Sequence, residues 1–191
     1  MKKRGVVFDL DGTLVDSKLD FAAMRRDLGF TSDLEILETI AAVEDDTERR
    51  RLENIVHAHE IAGAEHATAF PGAHELLATL AKNAIPVAIF TRNSRATAER
   101  TLINVKFDLS FIVAREDAPP KPDPAGLFLI ISKWNIKPHE ALFVGDYLFD
   151  LEAGRRAGIP TVLFAPTTPS FTHDHTEIVS NLTAIEKYLG L

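Results

Sequence analysis

Two textures of hydrophobic and polar positions divide this chain. From Asp16 to about Thr68, charged residues are interleaved among Leu28, Leu34, Ile36, Leu37, Ile40, Val43, Leu52, Ile55, Val56 and Ile61. That spacing predicts amphipathic helices packed on one another, with no strand among them. Ser32-Asp33 reads as a helix N-cap with Glu35 close behind. From Phe70 onward, short apolar runs alternate with helical stretches. Pro71-Gly72 opens a helix through Leu80, Ile85 to Phe90 reads as a strand, and Ser94 caps a helix to about Ile103. Leu109 to Val113 is another strand, and Asp123-Pro124 is a helix start with proline at the first helical position. Ala141 to Val144 is a strand, Tyr147 to Ala157 a helix, Thr161 to Phe164 a strand, and Leu182 to Leu189 a closing helix.

One further apolar run, Gly5-Val6-Val7-Phe8, stands ahead of the helical stretch and stops at Asp9-Leu10-Asp11-Gly12-Thr13. Near-continuous apolar strands separated by helices predict an α/β fold with a parallel sheet covered on both faces. The helical stretch interrupts this pattern after the first strand, so it reads as an inserted all-helical cap over 16–69. The core is then built from 1–15 and 70–191. The joins near Asp16 and Phe70-Pro71-Gly72 are candidate hinges.

With 191 residues, 46% of them hydrophobic, the chain can bury a real core and a modest second module. The formal net charge of −7 argues against nucleic acid or an anionic membrane as the main partner. Cysteine is absent, which excludes disulfides, thiolate catalysis and Cys-type zinc sites. The longest apolar runs, Phe128 to Ile131 and Ala141 to Val144, are too short to span a bilayer. The basic start Met1-Lys2-Lys3-Arg4 leads into a run broken by Asp9 and Asp11, which is no signal peptide. The expectation is a cytoplasmic protein, monomeric or homodimeric. Neither Gly-x-x-x-x-Gly-Lys nor Gly-x-Gly-x-x-Gly occurs, so nucleotide-cofactor folds lose their usual signature.

The candidate chemistry falls on four segments, each at a strand end or in the loop after it. Asp9 and Asp11 close the first strand, and Gly12 permits the tight turn that lifts both to its carboxyl end. Phe90-Thr91-Arg92-Asn93-Ser94 ends the Ile85 strand. Pro119-Pro120-Lys121-Pro122-Asp123-Pro124 is a stiff loop carrying one lysine. In Val144-Gly145-Asp146-Tyr147-Leu148-Phe149-Asp150 a strand ends at an acid and a second acid follows four residues on. If a helix begins there, Asp146 and Asp150 share one face. Four acids, one cation and one hydroxyl thus meet at the edge where open α/β sheets bind ligands. Carboxylates so close together require a counter-cation, and a divalent metal with oxygen ligands is the obvious one. The histidines are poorer ligands. His57 and His59 point to different helix faces, and His173-Asp174-His175 reads as an exposed polar loop. Lys18 and Arg25 at the start of the cap either meet a substrate's anionic end or form the wet face of a helix, and Trp134 reads as core.

Asp-x-Asp-Gly-Thr, the Thr91 segment, Lys-Pro-Asp-Pro and Gly-Asp-x-x-x-Asp, in this order, resemble the haloacid dehalogenase superfamily of phosphohydrolases. The similarity is to the subgroup with a helical cap after the first strand, as in phosphoglycolate phosphatase, and it covers nearly the whole chain. The resemblance implies a Rossmann-like core and a Mg²⁺-dependent phosphatase acting on a small phosphomonoester. In it Asp9 is the nucleophile and Asp11 the general acid and then base. Thr91, with Arg92 and Asn93 beside it, holds the phosphoryl oxygens, and Lys121 neutralises them together with Asp9. Asp9, Asp146 and the backbone carbonyl of Asp11 bind Mg²⁺, with Asp150 a direct or water-mediated ligand. The second acid, Asp11, separates this pattern from the metal-free dehalogenase branch. A phosphomutase of the same fold and a non-catalytic regulatory or binding member are the alternative expectations.

Overall fold

The computed structural model describes residues 2–31, 35–172 and 176–190. Because Val6, Val7 and Phe8 are apolar without a break, β1 (Gly5–Phe8) can be buried on both faces, and every one of its residues is. It is followed by β2 (Val15–Asp16), α1 (Phe21–Leu28), α2 (Ile36–Ala41), α3 (Asp46–His66) and β3 (Thr68–Ala69). The strand and helix alternation then runs α4 (Ala73–Lys82), β4 (Val87–Phe90), α5 (Arg95–Asn104), β5 (Ile112–Val113), α6 (Ala125–Trp134), β6 (Ala141–Gly145), α7 (Leu148–Ala157), β7 (Thr161–Phe164) and β8 (Glu177–Val179). Short 3₁₀ turns cover Pro138–Glu140 and Leu182–Tyr188.

Six strands form one parallel sheet in the order β5-β4-β1-β6-β7-β8. The two-residue period of β1 divides the core between its faces. Val6 and Phe8 join Leu76 and Leu80 of α4, Leu102 of α5, and Leu182 and Ile185 on one side. Val7 joins Leu127 and Ile130 of α6 and Ala153 and Ala157 of α7 on the other. The predicted parallel sheet with helices on both faces is therefore what this sequence forms. Sequence neighbours of β1 diverge from it to either side, so the switch point at its carboxyl end lies between β4 and β6.

Helices α1 to α3 pack around a separate apolar cluster of Met24, Leu28, Ile36, Ile40, Leu52 and Val56, with Leu37, Val43 and Ile55 against it. Asp20 caps α1 by accepting the Ala23 N–H at 2.8 Å, and Asp45 caps α3 by accepting the Glu48 N–H at 2.7 Å. At the base of this helical stretch, β2 and β3 form an antiparallel ribbon, Val15 opposite Ala69 and Asp16 opposite Thr68. The carboxyl end of α3 lies along α5, where Asn104 donates to the carbonyls of Ala64 at 3.1 Å and Ala67 at 3.0 Å.

Several boundaries differ from the sequence expectation. The ribbon brings strand to Asp16 and Thr68, the limits of the stretch expected to be strand-free. The Ile85 strand begins only at Val87, since Pro86 has no N–H to give a ladder. Leu109 to Phe111 stays outside β5, which keeps two ladder residues at the sheet edge. The segment from Leu182 is a 3₁₀ helix tightened by bonds such as Ala184 N–H to Asn181 O, 3.1 Å. The Ser32-Asp33 cap, Leu34 and His173-Asp174-His175 lie outside the described residues.

Candidate active site

The ladders of the central strands deliver the site residues. Asp9 donates its N–H to Val144 O at 2.8 Å, and Thr91 donates to Val113 O at 3.0 Å, so both backbones are fixed by the sheet one step past β1 and β4. After Asp11 the chain turns through Gly12, φ +79°, and Gly12 N–H bonds Val15 O at 2.8 Å. A Cβ at Gly12 would lie 2.2 Å from an Asp146 oxygen, so glycine is needed both for its left-handed backbone and for the close approach of the β6 loop. The Thr13 hydroxyl, fully buried, reaches Asp146 Oδ1 at 3.5 Å.

Lys121 is the positive centre of the cluster. Its ammonium lies 2.6 Å from Asp9 Oδ1 and 2.6 Å from Asp150 Oδ1, and 5.6 and 5.8 Å from the ring centroids of Phe90 and Phe143. Burial alone would push this ammonium down. The Asp150 and Asp9 carboxylates overturn that and hold it above the usual lysine range. Asp9 is pushed well up from the carboxylate range by burial, with Asp150 and Asp146 adding repulsion against the pull of Lys121. Asp146 is pushed up to about 6 by burial and by Asp150.

Asp150 does not share a helix face with Asp146. Asp146 precedes α7, and the Asp150 carboxylate folds back over the helix start to accept the N–H groups of Asp146 at 3.2 Å and Tyr147 at 3.0 Å. One of its oxygens thus holds the β6–α7 turn while the other holds Lys121. Asp9, Asp146 and Asp150 each offer a carboxylate oxygen within 4.8 Å of the others. Four acids against one lysine leave an excess of negative charge. The donors are all oxygens, the set a hard divalent cation such as Mg²⁺ prefers.

Asp11 stands apart from that group. One oxygen accepts the Asn93 amide, the Ser17 hydroxyl also hydrogen-bonds the carboxyl, and Oδ1 is buried without a partner among the described residues. Burial pushes this carboxyl up to about 6, against the Asn93 and Ser17 hydrogen bonds, with Glu60 adding repulsion. Asn93 donates its own N–H to Thr91 Oγ1 at 3.1 Å, which keeps the threonine hydrogen for another acceptor. Asn93, expected among the phosphate-binding residues, thus has its side chain on Asp11. Arg92 is bonded to Glu38 of α2 at 2.6 and 2.8 Å, with its guanidinium 4.8 Å from the Phe149 ring centroid.

A cavity of about 550 Å³ opens on these residues, floored by Asp9, Asp11, Thr91 and Lys121 and walled by α1, α2 and α3. Sequence reasoning left out Ser17, Thr13 and Glu60 from the site. Glu60, on α3, lines the cavity and is held by Arg115 at 2.9 and 2.8 Å and by the Thr97 hydroxyl at 3.3 Å. Only Thr13 carried a signal, as part of the Asp-x-Asp-Gly-Thr run.

A doubly wound sheet with paired acids, a buried lysine and a hydroxyl at its switch point is the frame of a hydrolase that handles an anionic group. The chain belongs to the haloacid dehalogenase-like hydrolase family, whose sequence model matches residues 6–164. It is similar to an uncharacterized hydrolase of Saccharomyces cerevisiae, 35% identical over 166 residues, covering 84% of this chain and 76% of that protein. It is also 30% identical over 186 residues to a phosphoglycolate phosphatase of Pseudomonas savastanoi pv. phaseolicola, covering 82% of this chain and 67% of that one. The crystal structure of a hydrolase from Pseudomonas syringae superposes with a TM-score of 0.77 at 25% identity, covering 98% of both chains. No helix among the described residues is long and apolar enough to cross a membrane.

Proposed function

We propose that the protein is a phosphatase that hydrolyses a phosphomonoester through a phosphoryl group carried on Asp9, with Mg²⁺ as cofactor. The observation that carries this reading is the division of labour between two acids two residues apart. Asp9 is bound to Lys121 at 2.6 Å, while Asp11 is bound to Asn93 and Ser17 and keeps one buried oxygen without a partner among the described residues. Lys121 lies against the first carboxylate and offsets charge there, while the second, raised to about 6, exchanges a proton near neutrality. The phosphoglycolate phosphatases among the relatives support a phosphate ester as substrate.

In the first step an Asp9 oxygen attacks phosphorus, the ester P–O bond breaks, and Asp11 gives its proton to the departing alkoxide. In the second, Asp11, now a carboxylate, takes a proton from water as that water attacks phosphorus. The bond to Asp9 breaks and inorganic phosphate leaves. Lys121 offsets charge on the phosphoryl oxygens and on Asp9, and the Thr91 hydroxyl donates to one of those oxygens. Asp9, Asp146 and the backbone carbonyl of Asp11 would hold Mg²⁺, which when bound supplies further neutralisation of phosphoryl charge. Asp150, with Lys121 on one oxygen and two backbone N–H groups on the other, serves this set by positioning, through a water at most. Helices α1 to α3 shield the site from bulk water while the phosphoryl group is on Asp9.

Phosphate release from a panel of monoesters, with and without Mg²⁺, tests the reading. Release that needs Mg²⁺ and disappears in Asp9→Asn supports it. Equal release by the folded Asp9→Asn protein removes Asp9 as nucleophile.

A further inference from the structure

The cavity wall differs from its floor in a way that bears on the substrate. Above Lys121 and the acids, the lining is Phe21 and Met24 of α1, Leu37 of α2, and Tyr147 and Phe149 at the start of α7. Phe21 is 52% exposed and Tyr147 47% exposed, two large apolar side chains left open to solvent in this one cavity. Tyr147 stacks edge-on with Phe149 at 5.2 Å, so its ring is held in place at the site. A water-exposed aromatic rim continuous with a phosphate floor gains most when a ligand's apolar body covers it.

The cations of the wall are committed. Lys18 pairs with Asp16, Arg92 is held by both oxygens of Glu38, and Arg25 is engaged as well. Glu35 adds negative charge to the lining, and Glu60 is there too, already bound to Arg115. A second anionic group on the substrate would therefore meet cations that already have partners, with Glu35 nearby. At about 550 Å³ the cavity also has room for a leaving group larger than a two-carbon acid.

Resting on the phosphatase reading above, we infer that the ester accepted here carries an uncharged aromatic leaving group packed on Phe21 and Tyr147, and that phosphorylated small acids are poor substrates. The test compares kcat/KM for benzyl phosphate, ethyl phosphate and 2-phosphoglycolate, all esters of primary alcohols, with Mg²⁺ present. Benzyl phosphate is expected to exceed each of the others by about tenfold to a hundredfold, the gain from burying a phenyl-sized group. In Phe21→Ala and Tyr147→Ala the benzyl-to-ethyl ratio falls by about threefold or more. A value for 2-phosphoglycolate equal to or above that for benzyl phosphate overturns the inference and leaves the phosphatase reading standing. Calorimetric binding of the same three esters to the Asp9→Asn protein reads selectivity without turnover. Tighter binding of benzyl phosphate supports the inference even if no ester is hydrolysed, whereas equal, reversed or absent binding overturns it.

Discussion

Replacing Glu60 by alanine isolates the tie between α3 and the loop after β5. The Glu60 side chain is 6% exposed and receives two Arg115 bonds at 2.9 and 2.8 Å, and the Arg115 side chain is 24% exposed. Removing one partner of such a pair leaves a desolvated charge behind, which costs about 3–5 kcal/mol when both groups are buried. Arg115 keeps some access to water, so the lower end applies, about 3 kcal/mol, including the lost Thr97 bond. For a chain of this length each kcal/mol is worth roughly 2–4 °C in Tm, so scanning calorimetry of Glu60→Ala is expected to show a fall of about 6–12 °C. Arg115→Ala and the double variant complete a cycle, in which the two changes together cost about 1–3 kcal/mol less than their sum. A fall below about 2 °C, or strictly additive losses, would refute the claim that this pair fastens the helical layer to the sheet.

Three further outcomes follow from the site's geometry and electrostatics. Gly12→Ala places a methyl on a φ of +79° and 2.2 Å from the Asp146 carboxylate. It is expected to cost about 1–2 kcal/mol in thermal unfolding and to weaken Mg²⁺ binding in a titration, and unchanged Mg²⁺ affinity would show that Asp146 is not set by this approach. In the proposed mechanism Asp11 gives a proton in the first step, and its acid form persists to about pH 6, so kcat/KM is expected to fall as pH rises through that value. The Asn93 hydrogen bond favours the charged form, so Asn93→Ala moves this falling limb upward by about one pH unit, and a downward move would contradict the arrangement.

Most of the sheet could be read from the chain because its strands are apolar runs bounded by caps and turns. β6, for instance, extends the expected Ala141 to Val144 by one residue, and β7 has the expected bounds. The β2–β3 ribbon was invisible because two residues per strand carry no period, and β8, three residues long, is little better. At the site, Asp9, Asp11, Thr91, Lys121 and Asp146 were legible because each sits at a strand end or in a loop of restricted sequence. Their partners were not. Asn93 meets Asp11 across 82 residues and Glu60 meets Arg115 across 55. Glu60 is one acid among many on a charged helix until the fold turns it inward. The Asp150 carboxylate was misplaced for a local reason, since helical periodicity does not describe an acid that folds back to cap the turn before its helix.

The central claim is that a phosphoryl group resides on Asp9 between the two steps. In Asp11→Asn the base for the second step is gone, while an aryl ester such as 4-nitrophenyl phosphate has a leaving group that needs little protonation in the first. Mixing this variant with that ester and Mg²⁺, quenching in acid and analysing the peptides by mass spectrometry reads the intermediate directly. One phosphoryl group on the peptide carrying Asp9, absent when Asp9 is also changed to asparagine, is the predicted result. An unmodified Asp9 peptide, or a phosphoryl group on any other residue, would contradict it.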